Sequence, residues 1–202
     1  MTKVDLKKDI AAYRARRGTF ELVDVPPLRY LMLDGAGDPN TSEEYRDAIA
    51  TLFPVAYKLK FLSKRELDRD YTVMPLEGLW WSDDMASFTT ARDKSRWRWT
   101  LLNLVPDWIT DELVERARAS APDAPLLSRV RFDTLAEGRC VQTLHVGSYD
   151  DEAPVLAAMH DEFIPRHGLR MTGRHHEVYL SDARRTHPSK LRTILRQPVE
   201  PA

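Results

Sequence analysis

The chain of 202 residues has one cysteine, Cys140. A single cysteine excludes an intrachain disulfide and any cysteine-based zinc site, and it suits a reducing, cytoplasmic setting. Long apolar runs are also missing. No stretch approaches the roughly 20 residues of a membrane span, and the N-terminal MTKVDLKKDIAAYRARRG lacks the apolar core of a signal peptide. Nor is there an excess of one charge. The 30 Lys and Arg nearly balance 31 Asp and Glu, for a formal net charge of −1. That balance argues against a broad electrostatic footprint for nucleic acid and against a polybasic membrane surface. The chain has no GxSxG elbow, no P-loop and no GxGxxG, so no cofactor is expected.

What remains is ample core material: 43% of the residues are apolar. The length fits one domain, or two small halves that share a core. Leu6, Ile10 and Tyr13 have helical spacing, which predicts a helix over Asp5–Arg17 that stops at Gly18. Thr19–Pro26 and Leu28–Leu33 read as strands, the second running into a Gly/Asp/Pro turn. Thr41, Ser42, Glu43 and Glu44 then open a helix with a cap and acids in its first turn. Pro54 should kink or end it, although the apolar pattern continues to Leu62. Strands follow at Tyr71–Trp81, interrupted by Pro75 and Gly78, and at Arg96–Val105, and a helix begins after Pro106. Beyond the PDAP break at Pro122–Pro125 come strand-like LLSRVRFDTL and GRCVQTLHVG, a helix over Asp150–His167, and strands at Arg174–Leu180 and Leu191–Val199.

The order strand, Gly/Asp turn, helix, strand, strand occurs twice. LEGLWWSDD also resembles HEVYLSDA, and RWTLLNLV resembles RTILRQPV. The expectation is a single α+β domain over 1–202, with an N-terminal helix and two pseudo-repeats at about 19–105 and 126–200. Tandem β-α-β-β modules side by side would form a curved antiparallel sheet. Its convex face would carry the helices, and its concave face a ligand cleft.

The stretch GRHHEVYLSD, Gly173–Asp182, concentrates the chemistry. Strand alternation puts His175, Glu177 and Tyr179 on one face and His176, Val178 and Leu180 on the other. The second set suits a helix-covered core, the first a polar or mixed cavity. Glu177 is either a strand carboxylate facing solvent or a partly buried anchor for a cationic ligand; burial makes its charge costly until a cation arrives. A metal reading is weak. His175-x-Glu177 starts a zinc-deaminase signature whose P-C-x-x-C partner is absent, so no metal is expected. Four of the five tryptophans, Trp80, Trp81, Trp97 and Trp99, lie on two successive strands. Core packing is the plain explanation, yet consecutive Trp80 and Trp81 must take opposite faces. An aromatic wall beside a carboxylate suits flat, hydrophobic, often cationic molecules. Tyr71, Phe88 and Tyr149 are further wall candidates. Glu77 takes the place of Glu177 in the first repeat, either in the cleft or turned outward. Glu137 and Gly138 read as a turn.

PLEGLWW, EGRCVQTLHVGSYDDE, HHEVYLSDARR and KLRTILRQPV resemble the GyrI-like small-molecule-binding proteins, and DLKKDIAAYRA and LDGAGDPN are similar to stand-alone members. The resemblance spans nearly the whole chain. It implies two β-α-β-β modules of the SHS2 type. It also implies kinship with effector-binding domains of multidrug-responsive regulators, where a glutamate in an aromatic cleft recognises cationic lipophilic drugs; the matching position is Glu177. Some stand-alone members hydrolyse cyclopropane-containing DNA-alkylating compounds in an aromatic cage. The leading expectation is therefore binding of aromatic, cationic xenobiotics. The alternative is a hydrolase with Glu177 as general base and Tyr179 or Tyr71 as proton donor. A protein-interaction role such as topoisomerase inhibition ranks last, because the charge is balanced and arginines are many. No helix-turn-helix is read, so the expected partner is a small molecule, without nucleic acid or membrane. The oligomeric state is not fixed by the sequence.

Overall fold

A computed structural model describes residues 3–83, 93–121 and 123–202. Phe88 lies outside the described residues. The described residues fall into two compact units. One is drawn from Met1–Asp9, Leu28–Met74 and Gly78–Leu135, the other from Ile10–Pro27, Pro75–Glu77 and Ala136–Ala202.

In the first unit, β2 (Leu28–Ala36) pairs antiparallel with β4 (Arg98–Leu104) on one side and β5 (Arg131–Leu135) on the other. β3 (Glu77–Trp81) lies beyond β4, contributing Gly78–Trp81 to this unit. Helix α2 (Glu43–Glu66) packs on this sheet. Ser42 caps it, accepting from the Tyr45 amide at 3.2 Å. Pro54 does not end the helix. A mid-helix proline costs about 3 kcal/mol, but the buried face of Ala48, Leu52, Val55, Ala56, Leu59 and Leu62 continues across it. A shorter helix, α3 (Asp111–Ala119), is capped by Thr110 and packs against α2.

In the second unit the strand order is β1 (Glu21–Val25), β6 (Gly138–Val146), β9 (Arg192–Pro201) and β8 (His175–Tyr179), with short β7 (Leu169–Met171) also on β9. The pairs β1–β6, β6–β9, β8–β9 and β7–β9 are all antiparallel. A helical segment crosses one face: α4 (Ala153–Ala157), a π-helical stretch Ala158–Phe163, then α5 (Ile164–Arg166). Pro165 has no N–H to donate back one turn, a local reason for the irregular ladder. Met159 and Ile164 from this segment pack with Val141, Leu169, Leu195 and Val199. The architecture is α+β, and both units follow the order strand, helix, strand, strand: β2–α2–β3–β4, and β6–α4–β8–β9 with β7 inserted.

The N-terminal segment and the start of β3 depart from expectation. The helix predicted over Asp5–Arg17 is reduced to α1 (Leu6–Asp9) and a 3₁₀ turn at Ala11–Tyr13. From that turn onward, long-range bonds take over the backbone. Gln142 donates to the Arg14 carbonyl, the Leu144 amide to the Arg16 carbonyl, and Arg196 to the Ala12 carbonyl. The strand predicted over Tyr71–Trp81 begins only at Glu77, after Pro75, and Tyr71 makes an isolated bridge to Val4.

Candidate functional site

Strand β8 alternates as its sequence dictates. Which face the helix covers is the reverse of the expectation. Glu177 lies opposite Leu195 and Tyr179 opposite Thr193, and Leu195 belongs to the core beneath the helical segment. His175, Glu177 and Tyr179 therefore share the helix-bearing face of the second unit. His176 lies opposite Arg196, on the face met by Ala12 and Tyr13.

On the helix-bearing face, Tyr179 donates its hydroxyl to Glu177 Oε2 at 2.8 Å. His175 Nε2 lies 3.5 Å from Glu177 Oε1. The Tyr149 ring meets the Tyr179 ring edge-on at 5.6 Å. Burial, then the charges of Glu177, Glu152 and Asp182, push the Tyr149 hydroxyl up to about 12. The Glu177 side chain is only 13% exposed, and among the described residues it has no ion pair with Lys or Arg. Behind it, the His160 ring lies 5.7 Å from that of His175. Burial, and secondarily His175, holds His160 down to about 3, so that it stays neutral.

The opposite face holds a buried ionic network. His176 Nε2 lies 3.0 Å from Glu77 Oε2, and its Nδ1 lies 2.9 Å from Glu137 Oε1. Glu77 also accepts from the Tyr13 hydroxyl at 2.5 Å. Arg196 donates to Glu137 at 2.9 Å, to Gln142 at 3.2 Å and to the Ala12 carbonyl at 2.7 Å. Burial alone would lower the His176 pKa and raise that of Glu137. Glu137 and Glu77 outweigh it for His176, raising it, and His176 with Arg196 outweighs it for Glu137, lowering it. His176 is thus satisfied and charged, and Glu77 is committed to it. The Glu137 side chain is 2% exposed, although its place before a strand reads as a turn. Neither Glu137 nor Arg196 stands out locally, because their partners lie 39 and 59 positions away for Glu137, and up to 184 for Arg196.

The tryptophans gather in the first unit. Tyr45 of α2 meets Trp99 edge-on at 5.3 Å and Trp80 at 6.0 Å, and Trp80 meets Trp97 at 5.8 Å. Trp99 is fully buried and Trp80 nearly so, while Trp81 is half-buried. The two neighbours diverge as their alternation requires. Trp97 precedes β4, at the end of the 3₁₀ turn Lys94–Arg96. Tyr71 is buried, meets Trp108 edge-on at 6.1 Å, and has its hydroxyl pKa raised by burial and then by Asp70. Among the described residues no group of three or more His, Cys, Asp or Glu is arranged to hold a metal ion, and no helix is long and apolar enough to cross a membrane.

The class these features define is an α+β domain of two strand–helix–strand–strand units, one of which sets a carboxylate among tyrosines. The chain belongs to the GyrI-like family, since the GyrI-like small molecule binding domain matches residues 18–200. An uncharacterized conserved protein of Listeria innocua is similar at 40% identity and a TM-score of 0.89, over 98% of this chain and 100% of that one. A hydrolase from Listeria innocua is similar at 39% identity and a TM-score of 0.87, over the same 98% and 100%. The EcmrR C-terminal domain, at 12% identity, a TM-score of 0.58 and coverage of 91% and 98%, shares the fold. No curated protein matches the chain.

Proposed function

We propose that this chain binds hydrophobic aromatic compounds, cationic ones above all, on the helix-bearing face of its second unit. Glu177 is the anchor, and Tyr179, Tyr149 and His175 surround it. The observation that carries this reading is the state of Glu177: largely buried, held by the Tyr179 hydroxyl, and, among the described residues, without a Lys or Arg ion pair. Tyrosine rings beside such a charge favour a flat cation through cation–π contact as well as ion pairing. Fluorescence anisotropy of rhodamine 6G tests it, in wild type and Glu177→Gln. Weaker binding by the variant supports the anchor; equal affinity rejects it.

A second reading places hydrolysis at the same residues. Two observations favour it: the Tyr179–Glu177 hydrogen bond pairs a proton donor with a candidate base, and a relative 39% identical is a hydrolase. In this reading Glu177 takes a proton from water as the water attacks a strained electrophile, such as a cyclopropane-bearing alkylator. The Tyr179 hydroxyl delivers a proton to the group released. Incubation with such a compound, followed by mass analysis, decides it. A water adduct above the protein-free control supports hydrolysis, and tight binding without adduct leaves binding alone.

A further inference from the structure

His175 is 5% exposed, yet neither of its ring nitrogens has a hydrogen-bond partner among the described residues. Glu177 Oε1 lies 3.5 Å from its Nε2, beyond good hydrogen-bond length. His160 repeats the pattern, with a fully covered Nε2 that is also without a partner. Buried imidazole nitrogens are costly to leave unmade, so two adjacent ones call for an explanation. His160 sits in the π-helical stretch Ala158–Phe163, an irregularity that turns a side chain out of the regular helical register and recurs at functional sites.

We infer that His175 and His160 form a hydrogen-bonding subsite beside Glu177, which takes a carbonyl, carboxamide or hydroxyl group of the bound compound. This rests on the reading of Glu177 as an anchor and sharpens it: the preferred ligand carries an aromatic cation and, a short distance away, an uncharged polar group. A neutral imidazole offers one donor and one acceptor, which matches a carboxamide in either orientation. The neutrality of His160 also matters, because an imidazolium there would repel the cation held by Glu177.

The test compares two probes by isothermal titration calorimetry: trimethylphenylammonium and its 4-carboxamide derivative. Wild type is expected to prefer the carboxamide by roughly tenfold, the usual worth of a hydrogen bond to a group otherwise left unpaired. The ratio of the two affinities within each variant is the readout. His175→Phe and His160→Phe should each bring the ratio close to one, while His175→Gln, which keeps a donor and an acceptor, should retain part of it. No preference in wild type, or an undiminished one in both Phe variants, overturns the subsite. The plain ammonium probe in Glu177→Gln keeps the underlying reading separate: unchanged affinity there overturns the anchor, whatever the carboxamide ratio does. Failure of both probes to bind wild type overturns both.

Discussion

Tyr179 donates its hydroxyl to Glu177 Oε2 across 2.8 Å, from two residues along the same strand and the same face. Side chains at i and i+2 on a strand point the same way, so the sequence itself brings this pair together. The bond leaves Glu177 Oε1 toward His175 and orients the carboxylate for a ligand.

Ligand affinity should follow that division. Glu177→Gln is expected to weaken rhodamine 6G by about tenfold or more, as loss of a charged partner costs roughly 1.5–3 kcal/mol. Tyr179→Phe removes only the orienting bond and should cost about threefold. Fluorescence anisotropy titration ranks the two. A larger loss in Tyr179→Phe would shift the anchor from the carboxylate to the phenol.

The network around His176 should dominate stability. Arg196→Met strips Glu137 of its guanidinium while leaving the carboxylate buried. Breaking a buried ion pair on one side typically costs about 3–5 kcal/mol. Urea denaturation should show a loss of that order, whereas a surface change such as Arg184→Met should stay within about 0.5 kcal/mol.

The same network makes stability depend on pH. The folded-state pKa of His176 is raised to about 9. Its contribution is therefore full below the unfolded-state value, about 6.5, and is lost as pH climbs from there through about 9. Glu137 behaves in the opposite sense. Its pKa is lowered to about 2, so its contribution is present above the ordinary carboxylate range and lost as pH falls through about 2. Stability should be greatest between about pH 5 and 6.5, then decline by on the order of 3 kcal/mol toward pH 9. Urea midpoints across pH check this, and His176→Gln should flatten the alkaline limb. An unchanged limb in that variant assigns it to another group.

In the first unit, Gly35 lies opposite Trp99. A Cβ at Gly35 would fall 2.1 Å from the Trp99 ring. Trp99 is fully buried and cannot swing aside. Gly35→Ala should destabilise by about 3 kcal/mol, in the range of overpacking. Adding Trp99→Leu should recover part of that loss. Thermal melts of the single and double variants measure the coupling, and simple additivity of the two changes would argue against the close approach.

The order of strands and helices, the alternation along β8, the divergence of Trp80 from Trp81 and the grouping of Glu177 with Tyr179 and His175 were all legible in the sequence. Each depends on residues within a few positions of one another, and local backbone periodicity governs such relations. The N-terminal helix was misread because Ala12, Arg14 and Arg16 offer their carbonyls to Arg196, Gln142 and Leu144, bonds that local spacing does not reveal. Glu137 does lie in the short connection between β5 and β6, as its sequence reads, but its burial in the ionic network was hidden for the same reason. Alternation could separate His175 from His176, but it could not say which of them faces the helix. The tertiary structure decided that, by packing Met159 and Ile164 against Leu195 and by gathering Tyr13, Glu77, Glu137 and Arg196 around His176. A side chain's face is a property of its own strand, whereas the cost or benefit of burying its charge depends on partners that only the folded chain supplies.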